Sequence, residues 1–150
     1  MPENITLDIV VAGYIVKEGK VLLIHHKKLN NWLPVGGHIE KNETPDGALR
    51  REIREELGIE VDILNYPKER RGNRKEYAFP FYVNVHHITR NHLHYCLFYL
   101  CKAKSTEIKI EESELISYGW FGREELNSLS PPINEGDKAT CLEAINMEKI

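Results

Sequence analysis

The sequence of 150 residues has few cysteines, no long apolar run and no excess of positive charge. Its net charge is −3 with neutral histidines, which argues against general DNA or RNA binding because such binding needs a strongly basic surface. The longest apolar run, residues 9–16, is far shorter than the roughly 20 residues of a membrane-spanning helix. The segment Met1–Asn4 also lacks the basic start of an export signal. We therefore expect a cytoplasmic protein with neither a polynucleotide nor a membrane as partner.

Three cysteines are present, an odd number without a CxxC pair: Cys96, Cys101 and Cys141. That pattern favours free thiols in a reducing compartment over a disulfide framework. Cys96 and Cys101 are five residues apart in a segment predicted as a strand, so their side chains should face opposite sides of a sheet. Because 41% of the residues are hydrophobic, a chain of this length can form one domain over residues 1–150 without disulfides or a structural metal.

Segments rich in β-branched and aromatic residues predict strands at 5–16, 21–26, 59–64, 77–88, 94–103 and 118–121. A shorter extended segment, 32–40, is interrupted by Gly36 and Gly37. Pro80 has no backbone N–H to donate, which predicts an edge strand or a bulge there. Strands come first, then one helix, more strands and further helices. This order predicts an α+β fold, a sandwich built around a mixed sheet.

The first helix should have Thr44 as its N-cap and Pro45 at its first position, because both residues favour a helix start. It is expected to end at Leu57, with Gly58 as its C-terminal cap. Two later helices are predicted, at about 123–129 and 135–147. We expect the apolar stripe of the last helix to contain Ala139, Leu142 and Ile145.

One face of the first helix carries three glutamates at spacing i, i+3 and i+4: Glu52, Glu55 and Glu56. Three like charges there repel one another, and a hard divalent ion such as Mg²⁺ would relieve the repulsion because it binds carboxylate oxygens. Another face carries apolar residues that can anchor the helix to a sheet: Leu49, Ile53 and Leu57. The alternative is a solvated surface helix whose glutamates are matched by the arginines nearby.

The loop before this helix has residues suited to a close approach to a metal ion. Gly36 and Gly37 permit backbone conformations that other residues resist, and they have no side chain to block the approach. Glu43 and Arg51 carry opposite charges and can pair between the loop and the helix. Such a pair would hold the loop in place beside the glutamates.

The segment Gly37–Ile59 resembles the Nudix box, the signature of the MutT/Nudix hydrolases. Every fixed position of the family pattern is matched, by Gly37, Glu43, Arg51, Glu52, Ile53, Glu55, Glu56, Gly58 and Ile59. The flanking segments 33–37 and 119–121 are also similar to the family. The resemblance implies the Nudix fold over nearly the whole chain, an α/β/α sandwich in which the box helix and C-terminal helices flank a mixed β-sheet.

The resemblance also implies a site and a cofactor. Glu52, Glu55 and Glu56 are expected to bind Mg²⁺, with Mn²⁺ as an alternative ion, and the backbone carbonyl of Gly36 is expected as a further ligand. Structural roles within the box are expected for four residues: Gly37, Glu43, Arg51 and Gly58. The expected reaction is hydrolysis of a diphosphate linkage in a nucleoside diphosphate derivative.

The identity of the general base is open between two glutamates. Some family members use a glutamate of the box, for which Glu52 is the candidate. Others use a glutamate from an outside loop, and Glu114, or less favourably Glu112, lies in such a loop before the segment Gly119–Phe121. For Glu114 the alternative is a residue of a solvated turn. The catalytic set expected from the resemblance is therefore Glu52, Glu55, Glu56 and Glu114.

The chain length favours one substrate class, a nucleoside triphosphate, standard or oxidised, that is cleaved to a monophosphate and pyrophosphate. Nucleotide-sugar members of the family often carry an extra N-terminal section. The alternative is a dinucleoside polyphosphate or ADP-sugar pyrophosphatase. It draws on Tyr77, which lies where some dinucleoside polyphosphate hydrolases have a tyrosine, and on the basic loop Lys68–Lys75, which could hold a distal phosphate. Such a loop is also common as a solvated surface segment.

An alternative of another class is a non-catalytic Nudix-fold module that binds a nucleotide. Loss of box glutamates would be its expected mark, and the sequence retains all of them. A small nucleotide is the expected partner in either case. Homodimers occur in the family, and the sequence leaves that state open.

Four histidines lie close together near a predicted hairpin: His86, His87, His92 and His94. A zinc site is disfavoured, because no cysteine or acid is evidently arranged with them. Histidines on a strand surface, in contact with substrate, are the favoured interpretation.

Overall fold

The computed structural model describes residues 4–69 and 71–148, and an eight-stranded mixed sheet is the framework of this part. The strands are β1 (Thr6–Lys17), β2 (Lys20–His26), β3 (Asn31–Leu33), β4 (Val35–His38), β5 (Val61–Ile63), β6 (Tyr82–Thr89), β7 (His92–Ala103) and β8 (Leu115–Phe121). The α-helices are α1 (Pro45–Leu57) and α2 (Glu135–Met147). A mixed sheet with flanking helices confirms the predicted fold class.

The strand β1 organises the sheet, because different parts of its length pair with different strands. Residues 6–15 run parallel to β7, residues 10–13 run antiparallel to β4, and the last two residues pair antiparallel with β2. β7 pairs in turn with β5 and β6, and β2 pairs with β3 and β8. The long parallel pair of β1 and β7 therefore brings together residues that are more than eighty positions apart in sequence.

Alternate residues of β1 face two separate cores. Val11 and Ile15 belong to the core that α1 covers, whereas Val10 and Tyr14 belong to the core that α2 covers. α1 contributes the three fully buried side chains that its spacing predicted, Leu49, Ile53 and Leu57. Burial of each such side chain contributes about 1.5–3 kcal/mol relative to exposure, so this stripe fixes the helix on the sheet. The result is the expected α/β/α sandwich.

Both ends of α1 are where the sequence predicted them. Thr44 accepts a hydrogen bond from the Gly47 N–H at 3.1 Å, and Pro45 is the first helical residue. Gly58 has a φ of 66°, which favours glycine, and its N–H donates to the Arg54 carbonyl oxygen at 2.9 Å. Thr44 thus caps the first turn of α1, and Gly58 caps the last turn, next to the glutamates.

The predicted strand 77–88 begins later than expected, as β6 at Tyr82. Pro80 precedes it and cannot donate to a strand ladder. Within the described residues β6 pairs with β7 alone, which confirms the edge position expected from this proline. β8 begins at Leu115, three residues before its predicted start.

The later helices differ from the prediction in detail. The segment 123–129 forms only a 3₁₀ turn, Glu125–Ser128, which has no side-chain cap to support a longer helix. α2 has the predicted bounds, and two members of the predicted stripe, Leu142 and Ile145, pack in the core, but Ala139 is exposed and that part of the prediction is wrong. The buried residues of α2 are Thr140, Cys141, Ala144 and Ile145. Residues spaced by three move gradually around a helix of 3.6 residues per turn, so a stripe with that spacing does not stay on one face. Residues at i, i+3 and i+4 remain on one face, as the buried residues of α2 do.

The cysteines follow the sequence prediction. Cys96 lies in the core under α2 and Cys101 in the core under α1, on opposite faces of β7. Both are free and buried, as is Cys141, and burial raises the pKa of each thiol to about 12. In the described part of the chain, no helix has the length and apolar character to cross a membrane.

Candidate active site

Two glutamates of α1 lie against the glycines of β4. Glu56 is only 5% exposed, and its Oε1 accepts a hydrogen bond from the Gly36 N–H at 3.1 Å. Glu52 lies directly over Gly37, since a Cβ on that glycine would be 2.4 Å from Glu52 Cδ. Glu55 points outward, with 59% of its side chain exposed. The exposure of the three box glutamates thus increases from Glu56 through Glu52 to Glu55, and they lie beside β4.

Arg51 holds the loop, the helix and the glutamates together. Its guanidinium makes two hydrogen bonds to Glu43, at 2.7 and 3.0 Å, and this pairing lowers the pKa of that carboxyl. A further N–H donates to Glu52 Oε1 at 2.9 Å, and another to the His38 carbonyl oxygen at 3.0 Å. A bidentate pair of this kind fixes geometry as well as charge. The ion pair of Glu43 and Arg51 predicted from the sequence is present.

The carboxylates of this group are close enough to repel one another. Burial raises the pKa of Glu56 to about 8, and repulsion from Glu52, Glu114 and Glu55 adds to the shift. Burial also raises the pKa of Glu52, while the hydrogen bond from Arg51 opposes the change. A divalent cation among these oxygens would remove the conflict.

The glutamates of α1 suit a hard divalent ion, because such ions prefer carboxylate oxygens as ligands. The backbone of β4 also passes close to these carboxylates. A Cβ on Gly36 would lie 2.0 Å from the Val11 carbonyl oxygen, so the backbone of β4 can take this path only without a side chain. Mg²⁺ binds such sites through one or two carboxylates and keeps several waters. The residues present therefore fit Mg²⁺.

The loop before β8 brings Glu114 to the same place. The Glu111 N–H donates to the Glu56 carbonyl oxygen at 3.0 Å, which ties this loop to the last turn of α1. Glu114 lines a cleft together with Glu52 and Glu56, whereas Glu112 is not among the described residues that line it. Of the two loop glutamates considered from the sequence, only Glu114 is therefore among the described residues that line the cleft.

The carboxylates of Glu52, Glu56 and Glu114 line a cleft of about 380 Å³. Part of its wall is the paired face of β1 and β7, which presents Val10, Ala12 and Phe98. Asp137, in the first turn of α2, also lines it. Such a cleft can hold a ligand that has an anionic part, bridged to the carboxylates by a metal ion, and a flat part that packs on apolar side chains.

Sequence reasoning missed several residues of this cleft, among them His38, Phe98 and Asp137. His38 directly follows the box glycine Gly37, so its position next to the motif was an available signal. Phe98 and Asp137 enter the cleft only through the pairing of β7 with β1 and the placement of α2, which no local pattern reveals. Burial raises the pKa of Asp137, as expected for an acid enclosed by the helix end and the sheet.

A family model described as the NUDIX domain matches residues 6–143. The chain belongs to the Nudix hydrolase family. The match extends from β1 into α2, so it includes the sheet, α1 with the box and the first part of α2. A solved structure titled as a hydrolase of the NUDIX family, from Clostridium perfringens, shares 31% identity, with a TM-score of 0.81 over 94% of this chain and 97% of that one.

Curated relatives of this Nudix chain carry different substrate names. A CTP pyrophosphohydrolase of Escherichia coli is 41% identical over 61 residues, which cover 38% of this chain and 45% of that protein. An NAD-capped RNA hydrolase, NudC, of Citrobacter koseri is 29% identical over 126 residues, 83% of this chain and 42% of that protein. The chain thus spans less than half the length of these relatives.

The basic loop and Tyr77 lie apart from the Nudix cleft. Tyr77 lines a second cavity, of about 250 Å³, with Thr44, Arg50 and Lys75 near the start of α1. The Lys75 ammonium lies 5.5 Å from the centre of the Tyr77 ring. Arg70 lies outside the described residues, and the loop's other basic residues, all described, are absent from the lining of the cleft. The described residues of this loop therefore lie away from the cleft that holds the glutamates.

The histidines divide into two groups in this Nudix sheet. His87 alternates with His86 along β6 and therefore faces the other side. The other three, His86, His92 and His94, converge near one end of the cleft, where His38 of β4 joins them. Burial and these neighbouring imidazoles lower the pKa of His94. An acid lies among them, because Asp8 Oδ2 is 3.2 Å from His92 Nε2, and the reason given above against zinc is therefore wrong.

Proposed function

We propose that this chain is a Mg²⁺-dependent hydrolase that cleaves a diphosphate linkage in a small nucleotide. The observation that carries the proposal is the convergence of Glu52, Glu56 and Glu114 in one cleft that also has an apolar wall. The phosphates would lie at the carboxylates, where Mg²⁺ can bridge the like charges. The nucleobase would pack against the apolar residues of β1 and β7.

In this proposal Glu52, Glu55 and Glu56 bind Mg²⁺, with the Gly36 carbonyl as a further ligand and Mn²⁺ as a substitute ion. The bound ion would neutralise charge that develops on the phosphoryl oxygens and orient the substrate. Four other residues position these ligands: Gly37, Glu43, Arg51 and Gly58. Arg51 does so through its contacts with Glu43 and Glu52, which hold the box loop against α1.

The reaction is a substitution at phosphorus. A water oxygen forms a bond to the α-phosphorus, and the bond from that phosphorus to the bridging oxygen breaks. Pyrophosphate leaves, and the water proton passes to a carboxylate. Glu52 and Glu114 both line the cleft and are the two candidates for that base. Glu52 already accepts a hydrogen bond from Arg51, whereas Glu114 approaches from the loop before β8.

A nucleoside triphosphate is the substrate class we favour, with oxidised bases included. A cleft of about 380 Å³ lies at the lower end of the range for small-molecule sites, which suits one nucleoside better than two. The dinucleoside polyphosphate and ADP-sugar alternative drew on Tyr77 and the basic loop, and neither Tyr77 nor any described residue of that loop lines the cleft. The retained box glutamates argue against the third class, a non-catalytic binding module.

A panel of substrates tests the proposal. Purified protein with Mg²⁺ would be assayed for phosphate release, with and without added pyrophosphatase. The panel holds standard and oxidised nucleoside triphosphates, ADP-ribose, nucleotide sugars, NAD and diadenosine polyphosphates. We expect release from triphosphates only when pyrophosphatase is present, because the direct product is pyrophosphate. Turnover of a sugar conjugate or dinucleotide instead would overturn the substrate class, and no turnover with Mg²⁺ bound would favour a binding module.

The substitution Gly37→Ala should lower kcat/KM by about 100-fold, because the new Cβ would displace the Glu52 carboxylate and a shift of about 1 Å at a reacting centre can have an effect of that size. Gly122→Ala is the matched control, since its Cβ would meet its nearest neighbour at 3.4 Å, an ordinary contact. Full activity of Gly37→Ala under Mg²⁺ would show that the position of Glu52 does not matter for hydrolysis.

A further inference from the structure

Four strands bring an acid and several histidines to one patch on the α2 side of the sheet. Asp8 of β1, His94 of β7 and His86 of β6 lie side by side in one row of the strand register. His92 is two residues before His94 on β7, and His38 of β4 pairs with the residue two positions after Asp8. Residues two positions apart on a strand share a face, so these side chains all project to the same side.

The distances within this patch are close to those of a metal site. Asp8 Oδ2 lies 3.2 Å from His92 Nε2 and 3.0 Å from His38 Nε2. One ligand atom from each of Asp8, His92 and His94 lies within 4.8 Å of the other two. In a tetrahedral zinc site, bonds of about 2.0–2.2 Å place the ligand atoms roughly 3.3–3.5 Å apart. Small side-chain rotations therefore suffice to close the three residues around one ion.

His92 is oriented by a contact behind it. Its Nδ1 lies 2.7 Å from the Thr6 hydroxyl oxygen. Histidines that bind metals commonly donate their other ring N–H to an oxygen, which fixes the tautomer and the ring orientation. When Thr6 accepts from Nδ1–H, Nε2 presents its lone pair to Asp8. A cation between that nitrogen and the carboxylate oxygen satisfies both groups.

We propose that Asp8, His92 and His94 form a binding site for a late first-row transition metal ion such as Zn²⁺. Two imidazole nitrogens and one carboxylate oxygen suit Zn²⁺ better than Mg²⁺, which prefers oxygen ligands. The carboxylate of Asp8 selects a cation over a phosphate, because it would repel an anion. Asp8 and His92 are partly exposed, with 42% and 28% of their side chains accessible, so an ion can enter from solvent.

This site is separate from the glutamates but adjacent to the cleft. His94 also lines the cleft, whereas Asp8 and His92 are outside its lining. Three protein ligands leave one tetrahedral position for water or for a ligand atom. An ion there would lie at the rim of the cleft and place a positive charge near the bound nucleotide. The inference does not depend on hydrolysis, and neither does its test.

The test measures Zn²⁺ binding by equilibrium dialysis in the presence of saturating Mg²⁺, which occupies the glutamates. Co²⁺ provides a second readout, because its visible absorption reports coordination by nitrogen and oxygen in a tetrahedral site. The variants are His92→Ala and Asp8→Asn, neither of which alters a residue that lines the cleft. His87→Ala is the matched control on the opposite face of β6, and thermal unfolding verifies that each variant is folded.

We expect one Zn²⁺ per chain in the unmodified protein and in His87→Ala. His92→Ala and Asp8→Asn should each weaken binding by more than the roughly 10–100-fold that loss of an outer partner produces. Glu56→Gln should retain the Zn²⁺. Failure of the unmodified protein to retain Zn²⁺, or equal retention by both site variants, would overturn the proposal. Loss of Zn²⁺ in Glu56→Gln would place the ion at the glutamates and would overturn it as well.

Discussion

Replacement of Glu56 by glutamine should abolish turnover and leave the fold intact. Glutamine has the same shape, and its side-chain oxygen can still accept the Gly36 N–H that Glu56 accepts at 3.1 Å. It carries no charge, so the proposed Mg²⁺ ligand is lost. We expect kcat/KM to fall by more than the roughly 100-fold that changes behind a metal ligand produce.

Steady-state kinetics across a range of Mg²⁺ concentrations measure this effect. Glu60→Gln is the control, because Glu60 is an exposed glutamate that pairs with Arg54 just beyond the end of α1. Its kinetics should match those of the unmodified protein. Turnover by Glu56→Gln at a normal rate would show that the metal site is assigned to the wrong carboxylate.

The same variant has an expected effect on stability in the absence of metal. Burial raises the pKa of Glu56 to about 8 in the folded state, above its ordinary value of 4.5. Between these two pH values the folded state retains a proton that the unfolded state releases. The contribution of protonated Glu56 to the free energy of unfolding is complete below about pH 4.5 and is lost as the pH rises through about 8. Glu56→Gln has no such proton to lose, so its stability relative to the unmodified protein should increase over this range.

Thermal unfolding in EDTA at pH 5 and at pH 8 tests the sign of this effect. We expect Glu56→Gln to melt above the unmodified protein at pH 8, by about 2–4 °C for each kcal/mol gained in a chain of this size. The difference should shrink at pH 5. Mg²⁺ should then raise the melting temperature of the unmodified protein and have little effect on the variant. An identical response of both proteins to pH would contradict the burial of an ionisable Glu56.

The second large effect is expected at Glu114. Glu114→Gln should lower kcat by about 10²–10⁴, the usual contribution of a positioned general base, while KM changes little. Glu112→Gln is the matched control, because it removes a charge from the same loop at a position outside the cleft lining. The pH dependence of kcat separates a base from a structural role, since loss of a base removes the acidic limb of the profile. Unchanged kcat in Glu114→Gln would assign the base to Glu52.

Local rules in the sequence were enough to predict the bounds of α1 and the helix face on which its glutamates lie. Thr44, Pro45 and Gly58 each specify a helix end through their own backbone or side chain, and the structure has those ends in place. The spacing of the buried leucines and isoleucine then determines which face meets the sheet. The orientation of Glu52 and Glu56 follows from that face, without knowledge of any other strand.

The rest of the candidate site depends on contacts between distant segments. Phe98 reaches the cleft because β7 pairs with β1, and Asp137 reaches it because α2 packs over the same face. Asp8 joins the histidines for the same reason, since it pairs with His94 across 86 positions of sequence. Neither the hydrophobic pattern nor a motif specifies which strands become neighbours in a mixed sheet. The apolar wall of the cleft was therefore beyond local prediction, whereas the position of the α1 carboxylates was not.

A ³¹P NMR spectrum of the reaction mixture measures the proposed chemistry most directly. The mixture holds the protein and the nucleoside triphosphate that is most active in the substrate panel, first in EDTA and then after Mg²⁺ is added in excess. We expect the triphosphate signals to persist in EDTA and to be replaced, after Mg²⁺ is added, by those of a nucleoside monophosphate and pyrophosphate. Signals that stay unchanged in Mg²⁺, or that convert to a nucleoside diphosphate and inorganic phosphate, would contradict the proposal.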